Sequence, residues 1–162
     1  MPFPITHGLI PVLAVDFAKK YSKRLKKSVN NKNLAICGLA GIAPDFDILF
    51  SWLVNLFSPV GNLHRTFTHS IFSAIPFLLL ALALKKYRTP LLFASAGWGS
   101  HMLLDFLLTG TLPLLYPLSG MYGLHLLVEK FTPITIWYPV GLDIAVLAIW
   151  IFHNRLFFFK KK

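Results

Sequence analysis

At 162 residues with 56% hydrophobic side chains and a mean hydropathy of +0.64, the chain is too apolar for an ordinary soluble domain of its size. Sixteen Lys+Arg against six Asp+Glu give a formal net charge of +10, but the basic residues gather at 19–32, 85–88 and 155–162. Those are the ends of apolar runs, where the positive-inside rule puts cationic charge, so a nucleic-acid-binding surface is excluded as the reading of that charge. The single cysteine, Cys37, rules out an internal disulfide and a cysteine-based zinc knuckle.

Residues 4–18 form the first apolar run, with Thr6-His7-Gly8 near its start. The first basic cluster follows this run instead of preceding it, so no cleavable signal peptide is expected. Residues 19–33 read as a basic linker or a helix end on the membrane surface. A second segment, 34–57, is interrupted at Pro44, which removes a backbone donor and predicts a break. Breaks inside membrane helices line a cavity or the protein interior. Residues 58–68 read as a loop, 71–84 as a third segment closed by Lys85-Lys86-Tyr87-Arg88, and 91–108 as a fourth. Between 110 and 137 lie Pro113, Pro117, Gly120, Gly123 and Pro133, which predict irregular chain with one short interfacial helix over 122–131. Residues 138–159 form the last span, flanked by Trp137, Tyr138 and the terminal lysines. The expected fold is therefore an all-α integral membrane protein, a single domain over 1–162, with four to five transmembrane helices and one of them broken near Pro44.

With the basic clusters placed together on the cytoplasmic side and the segments alternating, helix rise gives depths for the polar residues. His7, Asp45, His69 and His101 each fall about 17 to 24 Å from the nearest basic end, on the side away from the lysines. Charged and polar groups at that depth are costly unless partnered, and a metal ion is the simplest common partner. His101 and Asp105 are one helical turn apart and share a face, as two ligands or as a ligand and its orienting carboxylate; a buried His–Asp hydrogen bond is the alternative. His125 and Glu129 repeat that spacing in a segment read as interfacial, where such residues are ordinary. Asp45 and Asp47 flank the proline break as a ligand and a base, in either order, or as helix caps. In His64-Arg65-Thr66-Phe67-Thr68-His69, His69 is the candidate ligand. Arg65 is placed to meet an anion, bidentate contact to phosphate being what guanidinium does best, unless it pairs with Asp45 or Asp47. Asp16 reads as a partner of Lys19 or Lys20. Asp143 falls at the depth of an outer layer around the site.

These motifs (Thr6-His7, Pro44-Asp45-Phe46-Asp47, His64-Arg65-x-x-Thr68-His69-Ser70 and His101-x-x-x-Asp105) occur in order over most of the chain, which resembles the YdjM-like family of membrane-bound, metal-dependent hydrolases. The resemblance implies an integral membrane protein with hydrolase activity. The order of ligands is more distantly similar to the zinc-dependent phospholipase C and P1 nuclease group, and that likeness implies His7, Asp45 or Asp47, His69, His101 with Asp105, and His125 with Glu129 as metal ligands. That group also uses an N-terminal Trp amine and a further histidine between its two helical pairs. This chain has neither, although His64 is a substitute for one of them, so one or two zinc ions are expected, with three as the upper count and manganese or iron as alternatives.

The functional expectation is a membrane-bound, zinc-type phosphoesterase acting on a membrane lipid or lipid-linked phosphate. His69, His101, Asp105 and one of Asp45 and Asp47 are the core ligands, the other aspartate is the base, and Arg65 holds the phosphate. The alternative is a metal-binding membrane protein without hydrolysis, such as a transporter, sensor or assembly factor. The same metal chemistry would also serve amide or ester cleavage.

Overall fold

A computed structural model describes residues 4–58, 63–108, 111–118, 120–124 and 137–159. Among them are seven α-helices: α1 (Pro4–Ala18), α2 (Lys23–Ser28), α3 (Asn31–Ile42), α4 (Asp47–Phe57), α5 (Ile71–Ala83), α6 (Arg88–Leu108) and α7 (Trp137–Phe159). Three 3-10 turns join them: Ala43–Phe46, Phe67–His69 and Lys85–Tyr87. The all-helical expectation holds among the described residues, the one β-contact being an isolated bridge between Leu112 and Tyr122.

Local sequence accounts for most boundaries. Ser22 caps α2 by accepting the Leu25 N–H at 3.2 Å, and Asn30 caps α3 by accepting the Asn33 N–H at 2.9 Å. The stretch read as a basic linker or a helix end thus contains a cationic helical turn and a half of its own, Lys23–Ser28. Pro44 has no N–H for the Ala40 carbonyl, and at that point the chain tightens into Ala43–Phe46 before α4 begins, which is the expected break. The helix α6 starts three residues earlier than the apolar run, because Pro90 sits in its first turn, where an N–H has no intrahelical acceptor anyway. One expectation fails in its first part: residues 120–124 are not helical, and Tyr122 is bridged to Leu112 by N–H···O bonds of 2.7 and 2.8 Å. The remainder of that expected interfacial helix, 125–131, lies outside the described residues.

Among the described residues two helices are long and apolar enough to cross a membrane, 31–57 counted through the 3-10 turn and 85–108; α1, α5 and the stretch Val140–Asn154 are apolar but shorter. The packing is inverted relative to a soluble protein. Thr6, His7, His69, Ser70, His101 and Asp105 are fully buried, while Phe57, Leu82, Leu118 and Phe152 stand 90%, 69%, 71% and 70% exposed. Water would drive the opposite sorting, whereas lipid leaves apolar side chains outside and requires polar ones to find each other.

Small residues bring the helices close. A Cβ on Gly97 of α6 would lie 2.0 Å from the Cys37 carbonyl of α3, and one on Gly41 of α3 would lie 2.3 Å from the His7 carbonyl of α1. The second contact has a particular cause. Pro11 lies four residues after His7 and cannot donate to its carbonyl, so that oxygen faces outward and the Gly41 backbone packs on it. The result is a tight α1–α3–α6 core with α5 against α6 and α7 against α1.

Candidate metal centre

Helix faces and breaks in the helices share the work of delivering the polar side chains. His7 lies in the second half-turn of α1, Asp45 on the 3-10 turn that Pro44 creates, and Asp47 at the first residue of α4. His69 ends the 3-10 turn Phe67–His69 ahead of α5, and His101 and Asp105 lie on the buried face of α6. His7, Asp45, His69 and His101, which the depth count puts at one level, meet at one place in the bundle.

Four atoms from three parts of the chain form a compact group. His69 Nε2 and His101 Nε2 are 3.2 Å apart, and Asp45 Oδ1 is 3.6 Å from each. Asp105 Oδ2 is 3.7 Å from His69 Nε2 and 3.8 Å from His101 Nε2. Zinc ligands at 2.0 to 2.1 Å in a tetrahedron stand about 3.3 Å from one another. The five distances are therefore near those of donors around one ion, slightly expanded.

Proton accounting points the same way. His101 Nδ1 is 2.8 Å from the Gly41 carbonyl and can only donate there, so its neutral ring carries a lone pair on Nε2. His69 Nδ1 is 3.3 Å from Asp47 Oδ2, which places the His69 lone pair on Nε2 as well. Two lone pairs facing each other at 3.2 Å repel unless a cation or a proton lies between them. Asp45 Oδ1, buried beside them, accepts no hydrogen bond, and neither ring nitrogen of fully buried His7 makes one. Buried polar atoms left this way are costly, and the donor set of imidazole and carboxylate fits a zinc-type ion.

Around the four atoms a second layer sets orientation. Asp47 Oδ1 is 2.6 Å from His64 Nδ1, while its Oδ2 accepts the Arg65 N–H at 3.2 Å and the Thr68 hydroxyl. With both oxygens so occupied, Asp47 faces the Nδ1 side of His69 and Asp45 faces the Nε2 side. Arg65 is held in the left-handed region at φ 59°, unusual for a residue other than glycine, and its guanidinium reaches to 3.6 Å from Asp105 Oδ2. Among the described residues its charged partner is thus Asp105, not Asp45 or Asp47, and Asp47 is met by its backbone N–H. The loop is pinned to α6 by Trp98, whose indole N–H donates to Ser73 Oγ at 2.8 Å and to the Thr68 carbonyl at 3.2 Å.

His7 completes the opposite flank. Its ring stacks on His101 with centroids 4.0 Å apart, and its Nε2 is 3.4 Å from Asp105 Oδ1. Asp105 therefore turns one oxygen to His7 and the other to the His69–His101 pair. Donor atoms of His7, His101 and Asp105 form one trio within 4.8 Å, and those of Asp45, His64 and His69 form another. The arrangement has room in its chemistry for one ion or for two that share a carboxylate.

Of the residues expected from the sequence, His7, Asp45, Asp47, His64, Arg65, His69, His101 and Asp105 come together here. His125 and Glu129 lie outside the described residues. Asp143 accepts the Thr6 N–H at 2.9 Å and the Thr6 hydroxyl, satisfying a first-turn donor of α1 next to His7. Asp16 pairs with Lys19, as expected, and also with His153 Nε2 at 2.7 Å, tying α1 to α7 far along the helix from His7. Gly41 and Trp98 were not legible as site residues: a carbonyl acceptor carries no residue-type signal, and a lone tryptophan in an apolar helix reads as packing. Compared with known proteins, the chain matches the family model described as YdjM inner membrane protein over residues 1–159. No curated protein and no solved structure matches it.

Proposed function

Because the chain belongs to the YdjM inner membrane protein family, we propose that it is an integral membrane hydrolase, a phosphoesterase whose substrate is a membrane lipid or a lipid-linked phosphate. Four to five helices cross the bilayer in this reading, with the basic loops and the C-terminus cytoplasmic and the polar cluster toward the other face. The observation that carries it is the buried pair of His69 Nε2 and His101 Nε2, 3.2 Å apart, with Asp45 Oδ1 and Asp105 Oδ2 each 3.6 to 3.8 Å from both and a guanidinium beside them.

Asp45, His69, His101 and Asp105 would hold the first ion, and His7 with the second oxygen of Asp105 would contribute to another. What such an ion supplies when bound is Lewis acidity toward a phosphoryl oxygen and toward an attacking water. The remaining work falls to the chain. Arg65, partly exposed at 23%, presents its fork to a phosphate entering beside Asp105. Asp47 is saturated with hydrogen bonds and acts through His64, holding that imidazole in one tautomer as a carboxylate-oriented proton acceptor. The Gly41 carbonyl and Asp47 keep the two Nε2 atoms aimed inward. A headgroup phosphate already resides near one face of the bilayer, so a lipid reaches this level with its polar end first.

Metal analysis of the purified protein, followed by a panel of phospholipids and isoprenoid phosphates in detergent, tests the reading. At least one transition metal per chain and release of phosphate or a phosphorylated headgroup are expected. Arg65→Lys keeps the charge but loses the two-pronged contact, so metal content should stay while activity falls about tenfold, the effect of roughly 1.4 kcal/mol in barrier height. Four protein donors around one ion also make a closed set, the pattern of structural zinc. That feature favours the second reading, a metal-binding membrane protein without hydrolysis. Silence across the panel with the metal fully loaded would decide for it.

A further inference from the structure

The cationic end of the bundle holds a cavity unrelated to the metal centre. It has a volume of about 370 Å³ and opens between the end of α1, the short helix α2 and the first turns of α6. Val15, Leu92, Phe93 and Ala96 give it an apolar wall, and Arg24 and Arg88 stand at it as cations. Arg88 is thirteen residues before His101 on the same helix, roughly 20 Å away by helix rise.

Two arginines at one cavity call for an anion, and the acids among the described residues are committed elsewhere. Asp16 is taken by Lys19 and His153, Asp45, Asp47 and Asp105 belong to the polar cluster, and Asp143 binds Thr6. Among the described residues lining the cavity there is no carboxylate. Arg24 and Arg88 are both solvent-accessible, as a headgroup contact requires. The apolar wall is unsuited to a free inorganic anion, which would lose hydration against Leu92 and Phe93 without compensation. A phosphate joined to a hydrocarbon chain satisfies both halves.

We infer that this cavity is a binding site for an anionic phospholipid, its phosphate between Arg24 and Arg88 and the start of an acyl chain along Val15, Leu92, Phe93 and Ala96. The level fits. α1 ends at Ala18 and is followed at once by Lys19 and Lys20, and α6 follows Lys85 and Lys86, so the cavity lies where apolar helix gives way to charge. Basic pockets at that boundary attract acidic lipid, each cation near the surface adding to the attraction. The inference stands independently of hydrolysis at the metal centre.

The test is native mass spectrometry of the full-length protein in detergent, titrated with phosphatidylglycerol, phosphatidylcholine or inorganic phosphate. The expected result is preferential retention of phosphatidylglycerol by the wild type, and affinity roughly thirtyfold weaker in Arg24→Gln/Arg88→Gln, as two surface cations imply. Lys26→Gln/Lys27→Gln also removes two positive charges, both from α2 and neither at the cavity, and should keep the preference. Ala96→Trp fills the cavity, leaves both arginines and should abolish it, and size-exclusion profiles identify any variant that has misfolded. Equal loss in the lysine pair would overturn the site in favour of diffuse charge. So would retention in Ala96→Trp, no preference over phosphatidylcholine, or inorganic phosphate competing as well as the lipid.

Discussion

Removing the His101 imidazole deletes one of two facing Nε2 donors and at the same time leaves the Gly41 carbonyl without its 2.8 Å partner. His101→Ala should therefore lower metal content and melting temperature together, since binding and folding share their free energy. Full metal occupancy in that variant, read by elemental analysis, would remove His101 from the centre. Asp47→Asn makes a different demand. Its side chain keeps its size and can still meet Thr68, but it no longer offers two anionic oxygens to His64 Nδ1 and His69 Nδ1. Losses of an orienting carboxylate typically cost about 10- to 100-fold in metal affinity, and that is the expected change, measured by competition with a chelator. Asp45→Asn removes a donor that faces both Nε2 atoms and should cost more than Asp47→Asn. The reverse order would exchange the two aspartates' roles.

At the level of helices, the centre depends on how closely α1, α3 and α6 approach. Gly97→Ala would put a Cβ 2.0 Å from the Cys37 carbonyl, and Gly41→Ala one 2.3 Å from the His7 carbonyl; both neighbours are backbone and cannot swing aside. Overpacking of this kind costs about 1 to 3 kcal/mol, so each variant should melt earlier in detergent. Gly41→Ala should also reduce metal content, because the same residue's carbonyl orients His101. Gly99 is the control: a Cβ there meets nothing within 4 Å, and Gly99→Ala should be neutral or stabilising by about 0.5 to 1 kcal/mol through helix propensity. A melting point that falls as far for Gly99→Ala as for Gly97→Ala would sink the close-packing account.

For the whole molecule, the inverted burial pattern and the family both make it a membrane protein, and the charge distribution supplies an expected orientation. With buried Cys37 replaced by alanine, single cysteines at Lys27 in α2 and at Tyr87 before α6 report on it. Both should resist an impermeant thiol reagent in intact cells and react after permeabilisation, because both lie in basic clusters that the positive-inside rule keeps cytoplasmic. Labelling of either in intact cells would invert the arrangement.

The helices, the break at Pro44 and the membrane setting are legible in the sequence, because each follows from short-range properties: runs of apolar residues, a missing amide proton, lysines at segment ends. The convergence of His7, Asp45, His69 and His101 is legible too, since helix rise is nearly constant and counting residues from a charged end measures depth. Which way each side chain points is not. Asp45 and Asp47 differ by two positions in one turn, and their division between the Nε2 and Nδ1 sides of His69 was decided by how α4 and the 64–69 loop meet. Arg65 finds Asp105, forty residues on, because its backbone is held at positive φ by Asp47. The Gly41 carbonyl becomes the acceptor for His101 because Gly97 lets α6 touch the α3 backbone there. The sequence by itself determined which polar residues share a level of the helical bundle, since that depends on rise along one helix. Their assignment to inner and outer layers came only with tertiary structure, since it depends on the contact between helices distant in the chain.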